Sequence, residues 1–279
     1  ACASECPTGV DLARDKARVL DRAYAGRLRP LTHYTLGWLP RWARLVTGVP
    51  GLAGAANAAL RVPGLRTALL AAAGVDARRW VPSFRHGRPA ADPAAAGRLG
   101  RVAVWADSFS GGFEGGELEA ALRVLAAAGY RPELVGADAC CGLTWITTGQ
   151  LHAAAGRLRR ALDVLSPLVD AGVPIVGLEP SCVAVWRDEA GELVDDARVA
   201  RVARGVHTLA ELLGRTPGWS PPRLAGRTIV AQPHCHHAAV LGWQTDAALL
   251  DTTGADIVTV TGCCGLAGNF GVERGHYEV

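Results

Sequence analysis

The sequence runs to 279 residues, is 49% hydrophobic and carries a formal net charge of +3 from 29 basic and 26 acidic side chains. That suffices for one large or two small domains with real cores, and the near balance of charge excludes nucleic acid as the principal partner. No apolar run approaches the roughly 18 residues needed to span a bilayer, no secretory leader is visible, and the absence of methionine leads us to expect a portion of a longer polypeptide.

In chain order, residues 1–26 open with Cys2 and Cys6 and pass through a Pro7-Thr8-Gly9 turn into a helix that Asp11 can start. Residues 27–100 are rich in Leu, Ala, Arg, Pro and Gly and read as short helices broken at Pro40, Pro50, Pro63 and Pro82. Within them Trp38, Leu39, Trp42, Leu45 and Val46 make an apolar stripe interrupted by Arg41 and Arg44. Such a stripe suits packing against another domain or, alternatively, contact with a membrane surface.

From residue 101 the pattern alternates. Residues 101–106 have strand length, Leu118, Leu122 and Leu125 fall at helical spacing before a stop at Gly129, and residues 131–135 can form a second strand. Leu151, Leu158, Leu162 and Leu165 mark one face of a long helix, followed by a buried-type strand at 173–178. Two more strands, 228–231 and 257–260, bracket a helical stretch at 243–250. Strands alternating with helices imply parallel sheets covered by helices. Gly111, Gly112, Gly115 and Gly116 surround Phe113-Glu114 without a Walker lysine or Rossmann spacing, and read as a flexible loop near a sheet edge.

A weak internal repeat runs through this region: strand, loop, helix, strand, then Cys-Cys-Gly, first as Cys140-Cys141-Gly142 and again as Cys263-Cys264-Gly265. The opening strands end at Asp107-Ser108 and at His234-Cys235. The pattern predicts two similar α/β lobes, 101–226 and 227–279, with parallel sheets and Cys-Cys-Gly loops.

The remaining chemistry is in the cysteines. There are eight, Cys2, Cys6, Cys140, Cys141, Cys182, Cys235, Cys263 and Cys264, too few for a small disulfide scaffold and grouped in a way that favours metal or cluster binding. Cys2 to Pro7 reads C-x3-C-P, the tail of a bacterial ferredoxin run, so residues 1–26 are expected to be the end of a 4Fe–4S segment, with 27–100 a helical linker. Vicinal thiolates close poorly on one tetrahedral metal but can ligate different irons of a multinuclear cluster, and a following glycine permits φ > 0 and close backbone approach. Cys182, after Glu179-Pro180, and Cys235, between His234, His236 and His237, end strands and can each add a thiol. The candidate metal ligands are therefore Cys140, Cys141, Cys182, Cys235, Cys263 and Cys264, with Asp107, His234 and His236 as further candidates, while Cys2 and Cys6 hold the N-terminal cluster. Glu179 can orient a ligand, and His276 and Tyr277 either join the site or pack. Zinc is the alternative metal.

These residues resemble the cysteine-rich CCG-domain family, which includes the cysteine-rich subunit of heterodisulfide reductase and the iron–sulfur subunits of glycolate oxidase and anaerobic glycerol-3-phosphate dehydrogenase. The resemblance extends to large bacterial FAD-linked oxidases of the D-lactate/glycolate dehydrogenase type. The matching pieces are residues 1–12, Trp105-Ala106-Asp107-Ser108-Phe109, Cys140-Cys141-Gly142, Gly177 to Cys182, His234-Cys235-His236, and Cys263 to Gly271 with His276-Tyr277-Glu278. The chain departs from the family pattern in three places. Asp107 stands where the first repeat has its lone cysteine, Val185 stands where Cys182 would have a C-x2-C partner, and no cysteine follows Cys264. The resemblance implies an electron relay from FAD, held in an upstream domain of the same polypeptide, through iron–sulfur clusters to a quinone, cytochrome or carrier protein. The lack of a visible secretory leader and the need to protect clusters lead us to expect the protein in the cytoplasm, or peripherally at the cytoplasmic membrane. The alternatives are thiol/disulfide redox catalysis of the heterodisulfide reductase kind and a zinc-bearing structural module.

Overall fold

The computed structural model describes residues 10–87, 97–135, 139–262 and 264–278. Cys2, Cys6 and Cys263 lie outside the described residues, as does the expected ferredoxin motif. Asp11 caps the first helix, α1 (Leu12–Ala23), by accepting from the Arg14 amide at 3.1 Å, as its position in the sequence predicts. Four more helices follow, α2 (Leu31–Thr35), α3 (Leu39–Gly48), α4 (Leu52–Arg61) and α5 (Pro63–Ala72). Two of the prolines expected to break helices begin them instead. Pro40 lies in the first turn of α3 and Pro63 opens α5, positions where the missing N–H has no intrahelical partner to lose.

The rest of the chain is a mixed α/β fold with two parallel sheets. The first contains β1 (Arg101–Trp105), β2 (Arg131–Val135), β3 (Ile175–Gly177) and β4 (Val206–His207) in the order β2-β1-β3-β4, all parallel. Helix α6 (Glu117–Ala127) connects β1 to β2, and α7 (Leu143–Thr147) and α8 (Leu151–Asp170) connect β2 to β3. Beyond β3 come α9 (Pro180–Arg187), α10 (Ala190–Leu193) and α11 (Arg198–Gly205), then β4 and α12 (Leu209–Leu213). The sequence reading includes neither β4 nor the helices α10 to α12; β4, α10 and α12, at two to five residues, are too short to show a period, whereas the eight-residue α11 carries one in Val199 and Val202.

Strand β1 shows why this sheet is stable. Side chains alternate along a strand, so Ala103 and Trp105 face a core built from Leu158, Leu162 and Leu165 of α8. Val102 and Val104 face Leu118, Leu122 and Leu125 of α6. With both faces covered, β1 is buried from Val102 to Trp105, as a central parallel strand must be. Helix α6 stops as its Gly129 predicts: Gly129 has φ 100°, and the Tyr130 amide turns back to the Leu125 carbonyl at 3.0 Å.

The second sheet pairs β5 (Thr228–Ala231) with β6 (Asp256–Thr259) in parallel, Thr228 beside Asp256 and Ala231 beside Thr259. A π-helical turn (His237–Leu241) and α13 (Gln244–Asp251) connect them. The C-terminal segment returns to the helical region through the Asp76 amide on the Val272 carbonyl and the Arg274 amide on the Gly74 carbonyl, at 2.9 and 2.8 Å.

One predicted loop differs. Gly111 and Gly112 form a packed turn: a Cβ on Gly112 would meet the Ser108 carbonyl at 2.6 Å, and the Gly112 carbonyl receives the Arg85 amide at 3.0 Å. Phe113 beside it is buried and packs on Phe84 at a ring distance of 5.3 Å.

Candidate cysteine site

Each piece of the first site follows the C-terminal end of a parallel strand, where open α/β sheets place their ligands. After β1 the chain turns at Asp107. Its carboxylate accepts from the Phe109 amide at 2.7 Å, the Ser110 amide at 3.1 Å and the Ser110 hydroxyl at 2.5 Å. Asp107 is only 2% exposed. Burial raises its pKa above the usual carboxylate value and outweighs the opposing hydrogen bonds, and the negative charge of Glu179 adds to the rise. After β2, the Trp105 indole donates to the Ala139 carbonyl at 2.6 Å and fixes the approach to Cys140. Gly142 then adopts φ 78° and starts α7; a Cβ there would press on the Ala154 carbonyl at 3.3 Å and the Arg157 Cβ at 3.5 Å. This is the left-handed, closely approached glycine that the Cys-Cys-Gly sequence predicts. After β3, Glu179 caps α9 by accepting from the Ser181 amide at 3.2 Å and its hydroxyl at 2.5 Å, which places Cys182 in the first turn.

These three approaches bring Cys140, Cys141 and Cys182 together, buried and unoxidised. Cys141 Sγ is 3.1 Å from Cys182 Sγ, and the Ser108 hydroxyl donates to Cys140 Sγ at 3.5 Å. The Cys140 thiol is held well above its ordinary pKa, first by its hydrogen bond to Cys141 and then by burial. For Cys141 the bond from Cys140 favours ionisation, but its own bond to Cys182 and its burial outweigh it. Cys182 likewise gains from the bond from Cys141, yet burial and the negative charges of Asp107 and Glu179 push it up to about 12. The site is thus buried and rich in sulfur, with its three thiols held in the protonated form.

The candidate residues of the second lobe are more open. Cys235 and Cys264 are exposed. His234 is exposed too, with its ring 5.4 Å from that of His236, which is half-buried. His236 has a buried Nδ1 with no partner among the described residues, and burial, then the neighbouring His234, lowers its pKa. His237 points elsewhere, 2.8 Å from the Asp246 carboxylate and against the Trp243 ring. The π-helical turn beginning at His237 packs on α9, the helix that carries Cys182, and π-turns recur at functional sites. Gly268, in the loop after Cys264, lies against Thr147 of α7, where a Cβ would sit 3.6 Å from its methyl. His276 packs on Phe270, rings 3.9 Å apart, and Tyr277 carries the guanidiniums of Arg78 and Arg79.

Among the described residues, no three Cys, His, Asp or Glu side chains stand in a metal-holding arrangement. The donor chemistry of the first site nevertheless suits a thiophilic metal: three buried thiols that burial keeps protonated, beside two carboxylates. A cleft of about 1220 Å³ lies elsewhere, lined by Arg187, His207, Glu211, Trp219, Gln244 and Leu249 among others, and shares no residue with the thiols. Ser108 and the Trp105 indole are site residues that the cysteine spacing does not single out; their sequence signals are their place at the end of β1 and the resemblance of Trp105 to Phe109 to the CCG-domain family.

Fold and site together define a mixed α/β protein with parallel sheets and a buried three-thiol cluster at its strand ends. Over its whole length the chain is similar to three D-2-hydroxyglutarate dehydrogenases. It is 24% identical over 305 residues to that of Pantoea ananatis (strain AJ13355) and 27% identical over 299 residues, 99% of the chain, to that of Pseudomonas putida (strain KT2440). With the Escherichia coli K12 protein it shares 25% identity over 298 residues. The chain spans about 28% of the length of each of these relatives. No family model matches the chain, and no solved structure does.

Proposed function

We propose that this chain is the iron–sulfur electron-transfer portion of an FAD-linked 2-hydroxyacid dehydrogenase, passing electrons from a flavin elsewhere in the same polypeptide to an external acceptor. The relatives' names point to D-2-hydroxyglutarate as the 2-hydroxy acid, in place of the D-lactate or glycolate suggested by the sequence motifs. The convergence of Cys140, Cys141 and Cys182 from three strand ends carries the reading. Cys140, Cys141 and Cys182 would hold the metal, with Asp107 and Glu179 nearby; Cys235, Cys263, Cys264 and His236 would supply a second group, and Cys2 and Cys6 would serve the N-terminal cluster. A cluster bound there would supply one-electron transfer. The protein's own part is to exclude water, to aim the sulfurs through the Trp105–Ala139 and Glu179–Ser181 bonds, and to release the thiol protons when metal binds. Among the described residues no helix is long and apolar enough to cross a membrane.

The 3.1 Å contact of Cys141 with Cys182 also favours a thiol/disulfide reading. The raised pKa values weigh against it, because the attacking species is the thiolate and these thiols hold their protons.

The test is anaerobic reconstitution with iron and sulfide, then metal analysis and EPR on the wild type and on Cys140→Ser, Cys182→Ser and Cys263→Ser. Iron with sulfide, and a reducible signal lost in the variants, is the expected result. Stoichiometric zinc without a reducible signal would leave a structural platform. A metal-free protein that cycles between a Cys141–Cys182 disulfide and two thiols would establish the second reading.

A further inference from the structure

Several arginines of this molecule are neutralised by carboxylates. Arg14, Arg85, Arg101, Arg187, Arg198 and Arg201 each pair with an Asp or Glu. Beside the Cys-Cys-Gly loop three arginines instead gather around aromatic rings or one another. Arg157 of α8, whose Cβ abuts Gly142, lays its guanidinium 4.8 Å over the Trp145 ring. Arg41 of α3 reaches the same ring at 5.9 Å and the Trp38 ring at 4.6 Å. Arg160 stands one turn along α8 from Arg157. Among the described residues none of these three forms an ion pair with a carboxylate. The positive charge is strong enough to act on itself: burial first, then Arg41 and Arg160, pushes Arg157 down to about 10.

The patch continues into apolar surface. Trp42, its ring 6.4 Å from Trp38, is 42% exposed, and Leu45, on the next turn of α3, is 52% exposed. Exposed aromatic and aliphatic side chains set among unpaired arginines are what protein interfaces use at their centres, where Trp and Arg carry much of the affinity. A bare membrane surface is the weaker match, since the Arg41 and Arg157 guanidiniums lie over indole rings and are held in place rather than free to snorkel.

We propose that the Arg41–Trp42–Arg157–Arg160 surface docks an acidic, soluble electron-carrier protein over the Cys140 end of the thiol site. This rests on the electron-relay reading and names the acceptor's chemistry: a carrier whose carboxylates ring its redox centre, which the three guanidiniums neutralise while Trp42 and Leu45 seal the contact. Complementary charge of this kind speeds and orients encounter, and its effect weakens as salt screens it.

The experiment measures binding of the full 279-residue chain, reconstituted anaerobically with iron and sulfide, to two acidic carriers, a plant-type ferredoxin and a flavodoxin, with basic cytochrome c as the contrast. Dissociation constants are taken at about 20 mM and about 200 mM salt. The expected result is binding of an acidic carrier that weakens about tenfold or more over that salt range, and about tenfold or more in the Arg41→Glu/Arg160→Glu double variant. Both of those side chains are exposed, so the variant keeps the fold, and circular dichroism checks this. Arg157→Lys, which keeps the charge but loses the guanidinium over Trp145, should fall between wild type and double variant. Binding without salt dependence, binding unchanged in the double variant, preference for cytochrome c, or no carrier binding at all would overturn the proposal. The two readings fail separately. A carrier that binds while the EPR signal is missing removes the relay, whereas an intact signal with no carrier binding removes only the docking surface.

Discussion

The chain builds the same unit twice and protects it very differently. In β1–β2 and again in β5–β6, a strand, a helix and a parallel strand lead toward a Cys-Cys-Gly sequence. In the first unit the 20-residue helix α8 and the strand β3 close over the pair, and its cysteines are buried. In the second, the described residues leave β5 with β6 as its one partner strand, Val230 is 67% exposed, and Cys235 and Cys264 meet solvent. Local sequence therefore sets the strand–helix–strand unit, whereas the elements laid over it decide whether its thiols sit dry.

The comparison can be broken at four levels. The largest contrast is thiol reactivity. In native protein without metal, Cys235 and Cys264 should react at once with an aromatic disulfide reagent, while Cys140, Cys141 and Cys182 should react only on unfolding. Peptide mapping of the labelled protein decides this, and early labelling of Cys182 would dissolve the contrast. Next, Leu158→Ala should cost roughly 3 kcal/mol in denaturant unfolding, because a fully buried leucine leaves a cavity. Val230→Ala should stay within about 0.5 kcal/mol.

A smaller effect concerns pH. Glu189, with a buried oxygen that lacks a partner among the described residues, is raised by burial to about 7. The folded state thus holds its proton more tightly than the unfolded state does. That contribution is complete below the unfolded pKa of about 4.3 and is lost as pH rises through about 7. Glu189→Gln should match the wild type near pH 4 and exceed it by about 1–3 kcal/mol at pH 8; parallel stability curves would refute the burial argument. The smallest contrast is between the paired glycines. Gly142→Ala meets both a positive φ and the Ala154 carbonyl, whereas Gly265→Ala, at φ 73°, meets nothing within 4 Å. The second should cost about 1 kcal/mol and the first measurably more, read as a difference in urea midpoint.

Much of this was legible from residues alone. Short apolar runs of strand length and a 3.6-residue period, with Gly129 as a stop, placed β1, α6 and β2 within a residue or so and marked the inner face of α8, because buried elements must show their faces in sequence. The meeting of Cys140, Cys141 and Cys182 was legible too, since strand ends in a parallel sheet share one edge. The part that escaped was whatever depends on contacts far apart in sequence. Pro40 and Pro63 read as breaks because their role as helix starters shows only once the following turn is built. Nothing in the spacing of Arg41 and Arg157 announces that Trp145 will draw them together.

The return of the C-terminal segment to α5 has a kinetic consequence. Arg78 grips the Glu278 carboxylate at 2.7 Å across a separation of 200 positions, and Val75 bridges Glu273. Closing so long a stretch carries a large entropic cost that is recovered only when the ends meet, and non-local pairing of this kind raises contact order and slows folding. The seam should form late, after both sheets exist, and open early. Amide hydrogens from Val272 to Arg274 would then exchange ahead of those in β1, marking the seam as the first part of the structure to come undone.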